Sequence, residues 1–415
     1  MQLDYFDLGL FFLILTLCSF FCMFFFKKHL INIIDIWIIV FLNQIIFISV
    51  ITYSFIKNDI KPEHFYYCLF SLISFIFGLN QFYRKNIIIP KQRFIIDYNT
   101  TRIAILIYSL IFLINGSLIF YFLGVPFFTS GNRTISAYSE LGSGFGILNY
   151  LNWGLQSVLN ILALKIWLND KNKKLGISIL LMLILFNILN GGGKGGYLSL
   201  LLSINLGIFY MHISKKEEFK IPTFFKYAFF LLPFFILAAF IGAVNAGYES
   251  NVFLAFIKRL IGGSEGPYYY FVQNSWTQFH GLNLFSYHFS QILPYFGYVD
   301  RNAIDLGVNL SLYSDLNFGE SGGGPNPTMY VIGHIALGSL GFIYCYIIGA
   351  VLSFIRYRLE ATFIIWMYLN LNIVTMIGDG TLMPLDIFYI IFLSPILIWS
   401  FIFTKLNRKK LNHFS

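Results

Sequence analysis

Long apolar runs separated by short polar turns dominate this chain. Eleven of them approach the roughly 20 mostly apolar residues that a helix needs to cross a bilayer. They cover 6–26, 34–56, 65–82, 103–123, 147–168, 175–190, 197–213, 224–244, 330–355, 361–378 and 386–404. The pattern predicts an all-α polytopic integral membrane protein with about eleven transmembrane helices, forming one integral membrane domain over 1–415. The first run reads as a retained helix and not a cleavable signal. Asp4 and Asp7 precede it, whereas Lys27, Lys28 and His29 follow it, the reverse of a signal peptide's charge order.

Between the runs, the segments predicted to face outward are unequal. Residues 124–146 form a medium loop, 191–196 a tight turn, and 245–329 one long loop. The long loop is rich in Tyr, Phe, Trp and Gly, which is not a disordered composition. Within it, NVFLAFIKRLI (251–261) reads as a short amphipathic helix along the interface, and YYYFVQNSWTQFH (268–280) as an aromatic segment suited to the headgroup layer.

Composition narrows the class further. Hydrophobic residues make up 57% of the chain and charged residues 11%, against about 25% charged in a soluble domain. The mean hydropathy is +0.72. Net charge is +9, and its placement matters more than its size. With the amino terminus outside, only Lys57, Lys61, Arg133, Lys194, Lys258, Arg259 and Arg301 of the 28 basic residues are external. All the others fall in cytoplasmic turns, as the positive-inside rule requires. The basic excess therefore sets orientation, with the amino terminus periplasmic and the carboxyl terminus cytoplasmic, and does not indicate a nucleic-acid partner. Cys18, Cys22, Cys68 and Cys345 all fall in apolar stretches without metal-ligand spacing. They read as buried small hydrophobes, and no metal or cofactor is expected.

Four places could carry chemistry. In NGGGKGGYLS (190–199), glycines let the backbone approach an anion while Lys194 supplies full charge; the alternative is a tight hairpin with a snorkelling lysine. In GVPFFTSGNRTISAYSELGSGFG (124–146), Arg133 is the one base and Glu140 the one acid. A guanidinium there suits phosphate, or simply pairs with Glu140 in solvent. Lys258 and Arg259 precede GGSEGP (262–267), one facing a substrate or both facing anionic lipid. The run from 298 to 334 holds Asp300, Arg301, Asp305, Asp315 and Glu320, then GESGGGPNPT (319–328) and His334. Glu320 and His334 are candidate proton acceptors, with a structural histidine as the alternative. Asp379 and Asp386 are less specific candidates.

Absences matter as well. Neither HExxH nor an HxxxR pairing occurs. Charged residues deep in the predicted helices are almost absent, Asp35 being the doubtful case. Ion-coupled transporters keep ionisable groups near mid-membrane, so a proton- or sodium-driven pump is disfavoured.

This layout resembles bacterial oligosaccharide repeat-unit polymerases, the Wzy-type polymerases of O-antigen and capsule synthesis. The likeness spans nearly the whole chain as architecture: basic cytoplasmic turns, one medium and one long external loop. Arg133 followed after ten residues by Gly144 is similar to a loop pattern of the family; neither Arg259 nor Arg301 has glycine at that spacing. GGGKGG, and PNPTMYVIGHIALGSLG (325–341), resemble family segments. The resemblance implies a GT-C-like polymerase architecture in the bacterial inner membrane. It implies glycosyl transfer from undecaprenyl-diphosphate-linked oligosaccharide at the periplasmic face, without a metal. It also implies a chain-length regulator and a flippase as membrane partners. Arg133, Lys194, Lys258, Arg259 and Arg301 would then hold diphosphate and sugar, and His334, Glu320, Glu140 or Glu265 would take the acceptor's proton. External rings Tyr268, Tyr269, Tyr270 and Trp276 would stack on sugar or sit in the interface. An O-antigen ligase-type transferase and a lipid-linked oligosaccharide flippase or polysaccharide transporter are the rival readings.

Overall fold

The computed structural model describes residues 7–30, 35, 37–84, 98–125, 143–168, 173–189, 264–273, 275–279, 281–289, 293, 306, 309–310 and 327–359. Among the described residues every regular element is helical, and none is a strand. The main helices are α1 (Leu8–Phe26), α2 (Trp37–Ile56), α3 (Pro62–Gln81), α4 (Tyr98–Leu123), α5 (Ser143–Leu168), α6 (Lys173–Leu189), the short α7 (Leu284–His288), α8 (Met329–Leu337) and α9 (Phe342–Tyr357). By length and composition, three helical stretches are apolar enough to cross a membrane, Leu8–His29, Asn99–Phe122 and Met329–Tyr357, the last of them folded back on itself at Gly338. The predicted spans 197–213, 224–244, 361–378 and 386–404 lie outside the described residues.

Two compact units divide the chain. The first comprises Met1–Ile88, Asn251–Leu359 and Asn372–Leu385; the second comprises Ile89–Ser250, Glu360–Leu371 and Asp386–Ser415.

In the first unit, helix starts follow local chemistry. Asp7 caps α1, its carboxylate accepting from Leu10 N–H at 3.0 Å. Pro62 opens α3 with Glu63 in its first turn, where a missing N–H costs nothing and negative charge meets the helix dipole. Helix α1 has an apolar surface as well as an apolar core: Phe20 is 75% exposed and Phe24 67%, while Phe11, Cys22 and Phe26 are buried. Such a surface suits lipid. Helices α1 and α2 run antiparallel, since Phe11 meets Tyr53 at one end and Phe26 stacks on Phe41 at the other, 4.2 Å between centroids.

The run 330–355 departs from expectation. A single straight span was predicted, but the chain reverses at Gly338, where φ is +59°. The backbones of Gly333 and Gly341 touch so closely that a Cβ on either would overlap the other, and Cys345 Sγ reaches the Met329 carbonyl at 3.7 Å. Residues eight and sixteen apart along a straight helix would be about 12 and 24 Å apart. So α8 and α9 form a helical hairpin, with Leu337 and Leu340 exposed beside the turn. Helix α9 then packs parallel to α3: a Cβ on Gly78 would overlap the Tyr346 carbonyl, one on Gly349 the Phe75 carbonyl, and Phe82 N–H donates to Ser353 at 3.3 Å.

Far from the hairpin turn, this unit carries a buried ion pair. Arg356 forks onto both carboxylate oxygens of Asp35, its Nη1 donating to Oδ1 at 3.1 Å, and its Nη2 also donates to the His29 carbonyl at 3.0 Å. Neither side chain has solvent-exposed area. The guanidinium lies 4.6 Å from the Trp37 ring, while the His29 ring is held by Tyr357 and Asn80 at 3.0 and 3.2 Å. The positive-inside argument treats Arg356 as a turn residue; its position is instead inside the packed end of the unit, where it neutralises Asp35. The segment 268–280 differs too: Tyr269 and Tyr270 are each 1% exposed and Phe271 is fully buried, packed into the unit and not laid out in a headgroup layer.

In the second unit, α5 carries Asn152, Gln156 and Asn160 four residues apart, hence on one face, and all three are buried. Asn115 of α4 donates to Asn152 at 3.1 Å. Gly116 gives room to the Phe186 ring, and Gly176 to the backbone at Ala163 and Trp167, so α4–α5–α6 pack through small residues and amide contacts.

Candidate functional site

Of the candidate residues, the described structure places His334. Arg133, Glu140, Lys194, Lys258, Arg259, Arg301 and Glu320 lie outside the described residues, as do Asp379 and Asp386. Glu265 starts a short helical turn, Glu265–Pro267.

His334 sits in the last turn of α8, just before the Gly338 reversal. Its Nδ1 bonds the Tyr270 hydroxyl at 2.9 Å. Three further rings enclose it edge-on: Tyr67 at 4.7 Å, Phe271 at 5.5 Å and His64 at 5.7 Å between centroids. The platform beneath is fixed by backbone chemistry. Tyr67 donates to the Tyr330 carbonyl at 2.9 Å, tying α3 to α8, and Tyr330 stacks on Phe47 at 3.7 Å and donates to Gln44. The aromatic segment joins through Tyr268–Val272, followed by the turn Ser275–Gln278. Ser275 closes this bend onto the Tyr269 carbonyl at 2.9 Å.

His64, in the first turn of α3, was not singled out by the sequence. It is 5% exposed, wedged among Trp276 at 5.1 Å, Phe271 at 5.5 Å and His334. Over Trp276 lies the Lys61 ammonium, 5.0 Å from the ring, a cation–π contact. The available signal was positional: His64 opens the predicted span 65–82 at the same face where His334 enters 330–355.

The chemistry follows from the Tyr270 bond. Burial raises the phenol above its usual value, so the hydroxyl keeps its proton at neutral pH. That hydroxyl fixes the imidazole's orientation, and its oxygen can accept Nδ1–H, which leaves Nε2 as the lone pair that takes a proton. The resulting imidazolium keeps the same bond. Among the described residues, no three metal-ligating side chains come together; the site offers two imidazoles and a phenol, a hydrogen-bonding set. Tyr269 and Tyr270, by contrast, have no free face for stacking on sugar, because both are buried.

No protein-family profile, curated protein or solved structure matches the chain.

Proposed function

We propose that this chain polymerises undecaprenyl-diphosphate-linked oligosaccharide repeat units into O-antigen or capsular polysaccharide, at the periplasmic face of a bacterial inner membrane. The observation that carries the reading is the oriented His334 imidazole, bonded to Tyr270 at the end of α3 and α8 that the charge pattern predicts to be external. All-helical structure among the described residues, with apolar, membrane-length helices, supports it; in this reading about eleven helices take a GT-C-like arrangement.

In this reading the acceptor sugar's hydroxyl oxygen attacks the anomeric carbon of the growing glycan. The bond from that carbon to the diphosphate breaks, and its electron pair leaves with undecaprenyl diphosphate. His334 Nε2 takes the hydroxyl proton, a role for which Glu320 and Glu140 are the alternatives. Arg133, Lys194, Lys258, Arg259 and Arg301 are the external cations that offset the charge developing on the diphosphate. A chain-length regulator and a flippase are the partners this chemistry calls for.

Deleting the gene and inspecting surface polysaccharide tests the reading. A polymerase loss leaves lipid A core capped with one repeat unit, or removes capsule. Uncapped core with accumulating lipid-linked polymer identifies a ligase instead, and repeat units stranded in the cytoplasmic leaflet identify a flippase. Complementation with His334→Ala should give single repeat units at normal protein level; wild-type chain length in that strain removes His334 from the site.

A further inference from the structure

We propose that the end of the first unit remote from His334 is a docking surface for an acidic phospholipid: Lys27, Lys28, Arg84 and Arg358 hold its phosphate headgroup, and its acyl chain lies along the exposed face of α1. This surface is separate from the histidine site and does not depend on the reaction proposed there.

Four observations carry it. First, α1, α3 and α9 all end here, because His29, just past α1, bonds Asn80 of α3 at 3.2 Å and Tyr357 of α9 at 3.0 Å. Packing thereby gathers cations from three turns far apart in the sequence: Lys27 with Lys28, Arg84, and Arg358, all of them exposed. Second, the rings among them touch. Lys28 Nζ lies 5.4 Å from the Tyr83 ring, and that ring meets Tyr357 at 5.4 Å between centroids; Arg84 and Arg358 each follow directly on one of these two rings. Third, positive charge is left over. Among the described residues Asp35 is the one acid at this end, and Arg356 neutralises it internally. None of the four exposed cations pairs with an acid among the described residues. The three helix C-termini supply about half a negative charge each, so more than two positive charges stay unmatched. Fourth, an apolar stripe leads to them. Leu13, Leu17, Phe20 and Phe24 of α1 are exposed and recur every three or four residues, hence on one face. The stripe extends about 16 Å, close to the hydrocarbon depth of one leaflet, about 15 Å. At its carboxyl end stands Lys27, its ammonium 5.3 Å from the Phe24 ring.

Orientation by basic turns is the plain alternative, but it needs no convergence: cations scattered over separate turns satisfy it equally. A soluble anion would use the cations and leave the stripe beside Lys27 without a role, whereas a lipid uses both. A phosphodiester headgroup brings one full negative charge to the depth at which Lys and Arg side chains end, and each such cation strengthens attachment about fivefold. A zwitterionic headgroup carries its own ammonium, which the same four cations repel. The surface therefore selects phosphatidylglycerol over phosphatidylcholine.

The test uses full-length protein in detergent micelles doped with either lipid. Cys22, Cys68 and Cys345, free and buried, report unfolding to a thiol-reactive dye. Phosphatidylglycerol should raise the melting midpoint by about 3 °C or more at saturation, phosphatidylcholine should not, and salt at about 0.5 M should remove most of the increase. The quadruple variant Lys27→Gln/Lys28→Gln/Arg84→Gln/Arg358→Gln should lose the increase while melting like wild type in phosphatidylcholine. A second quadruple variant, with Lys171, Lys173, Lys174 and Lys215 replaced by glutamine, makes the same charge change in turns of the second unit and should keep it. Equal losses in the two variants reduce the effect to general surface charge and overturn the proposal. An equal increase with both lipids also overturns it, and that comparison needs wild-type protein alone. So does the same increase with inorganic phosphate and no added lipid, which assigns the cations to a soluble anion. Where the first quadruple variant does not fold, Lys27→Gln/Lys28→Gln takes its place: its affinity for phosphatidylglycerol should fall at least about tenfold, and an unchanged affinity overturns the proposal.

Discussion

Replacing Arg356 with methionine is expected to unfold the first unit more readily than almost any other single change. The arginine makes two bonds to Asp35 and one to the His29 carbonyl, over the Trp37 ring at 4.6 Å. Methionine removes all of them and leaves Asp35 carboxylate with its charge inside a site that excludes solvent. Breaking one side of such a buried pair costs about 3–5 kcal/mol, whereas replacing both partners with apolar residues of similar volume is often neutral or stabilising. The double variant Asp35→Leu/Arg356→Met should therefore regain most of what Arg356→Met loses. Native reporters exist in the same unit: Cys22, Cys68 and Cys345 are free and buried, so a thiol-reactive dye follows unfolding in detergent without added labels. Salt should barely change the wild-type midpoint, because a fully buried pair is poorly screened. A loss below about 1 kcal/mol in Arg356→Met, or a double variant as unstable as the single, would refute the view that this pair is a desolvated lock.

Gly78→Ala should separate α3 from α9, since its Cβ has no room beside the Tyr346 carbonyl; overpacking of this kind costs about 1–3 kcal/mol or more, read by the same thiol assay. Asn160→Leu should stabilise the second unit by about 1–3 kcal/mol, because neither of its buried side-chain polar atoms has a partner among the described residues; a lowered melting temperature would count against this. Tyr270→Phe should cut polymer formation about tenfold or more through loss of His334 orientation, with little change in melting temperature. The phenol's raised pKa also has a sign: the neutral form is favoured by folding, so its contribution is complete below the unfolded value of about 10 and is lost as pH rises through the folded value. Melts at pH 8 and pH 11 measure it.

How far the sequence carried depends on which physical signal each feature emits. Apolar run length is local, and it placed α1 to α6 close to their observed bounds: 6–26 against Leu8–Phe26, 147–168 against Ser143–Leu168. The α8–α9 reversal emits no such signal. Gly333, Gly338 and Gly341 sit in a run as apolar as any other, and glycine is common in straight membrane helices. What turns the chain is a contact between two glycines, visible once they meet. The Asp35–Arg356 pair was hidden for another reason, since its partners are 321 residues apart in the chain. Asp35 alone looked like an anomaly, and Arg356 alone like an orientation signal.

The site was half legible on the same grounds. His334 drew attention as a proton acceptor near the outer end of a predicted span, whereas His64, in a charged turn beside Lys61 and Glu63, was not singled out. Burial inverted that: His64 has almost no exposed area, and His334 is the more accessible of the two. Segment 268–280 supplied the difference. Its aromatic residues signalled an interface, but their order, YYYFV before a Ser275-closed bend, turns Tyr270 and Phe271 inward against both histidines. A loop that buries its rings in this way turns two histidines that stand far apart in the sequence into an enclosed pair, their rings 5.7 Å apart.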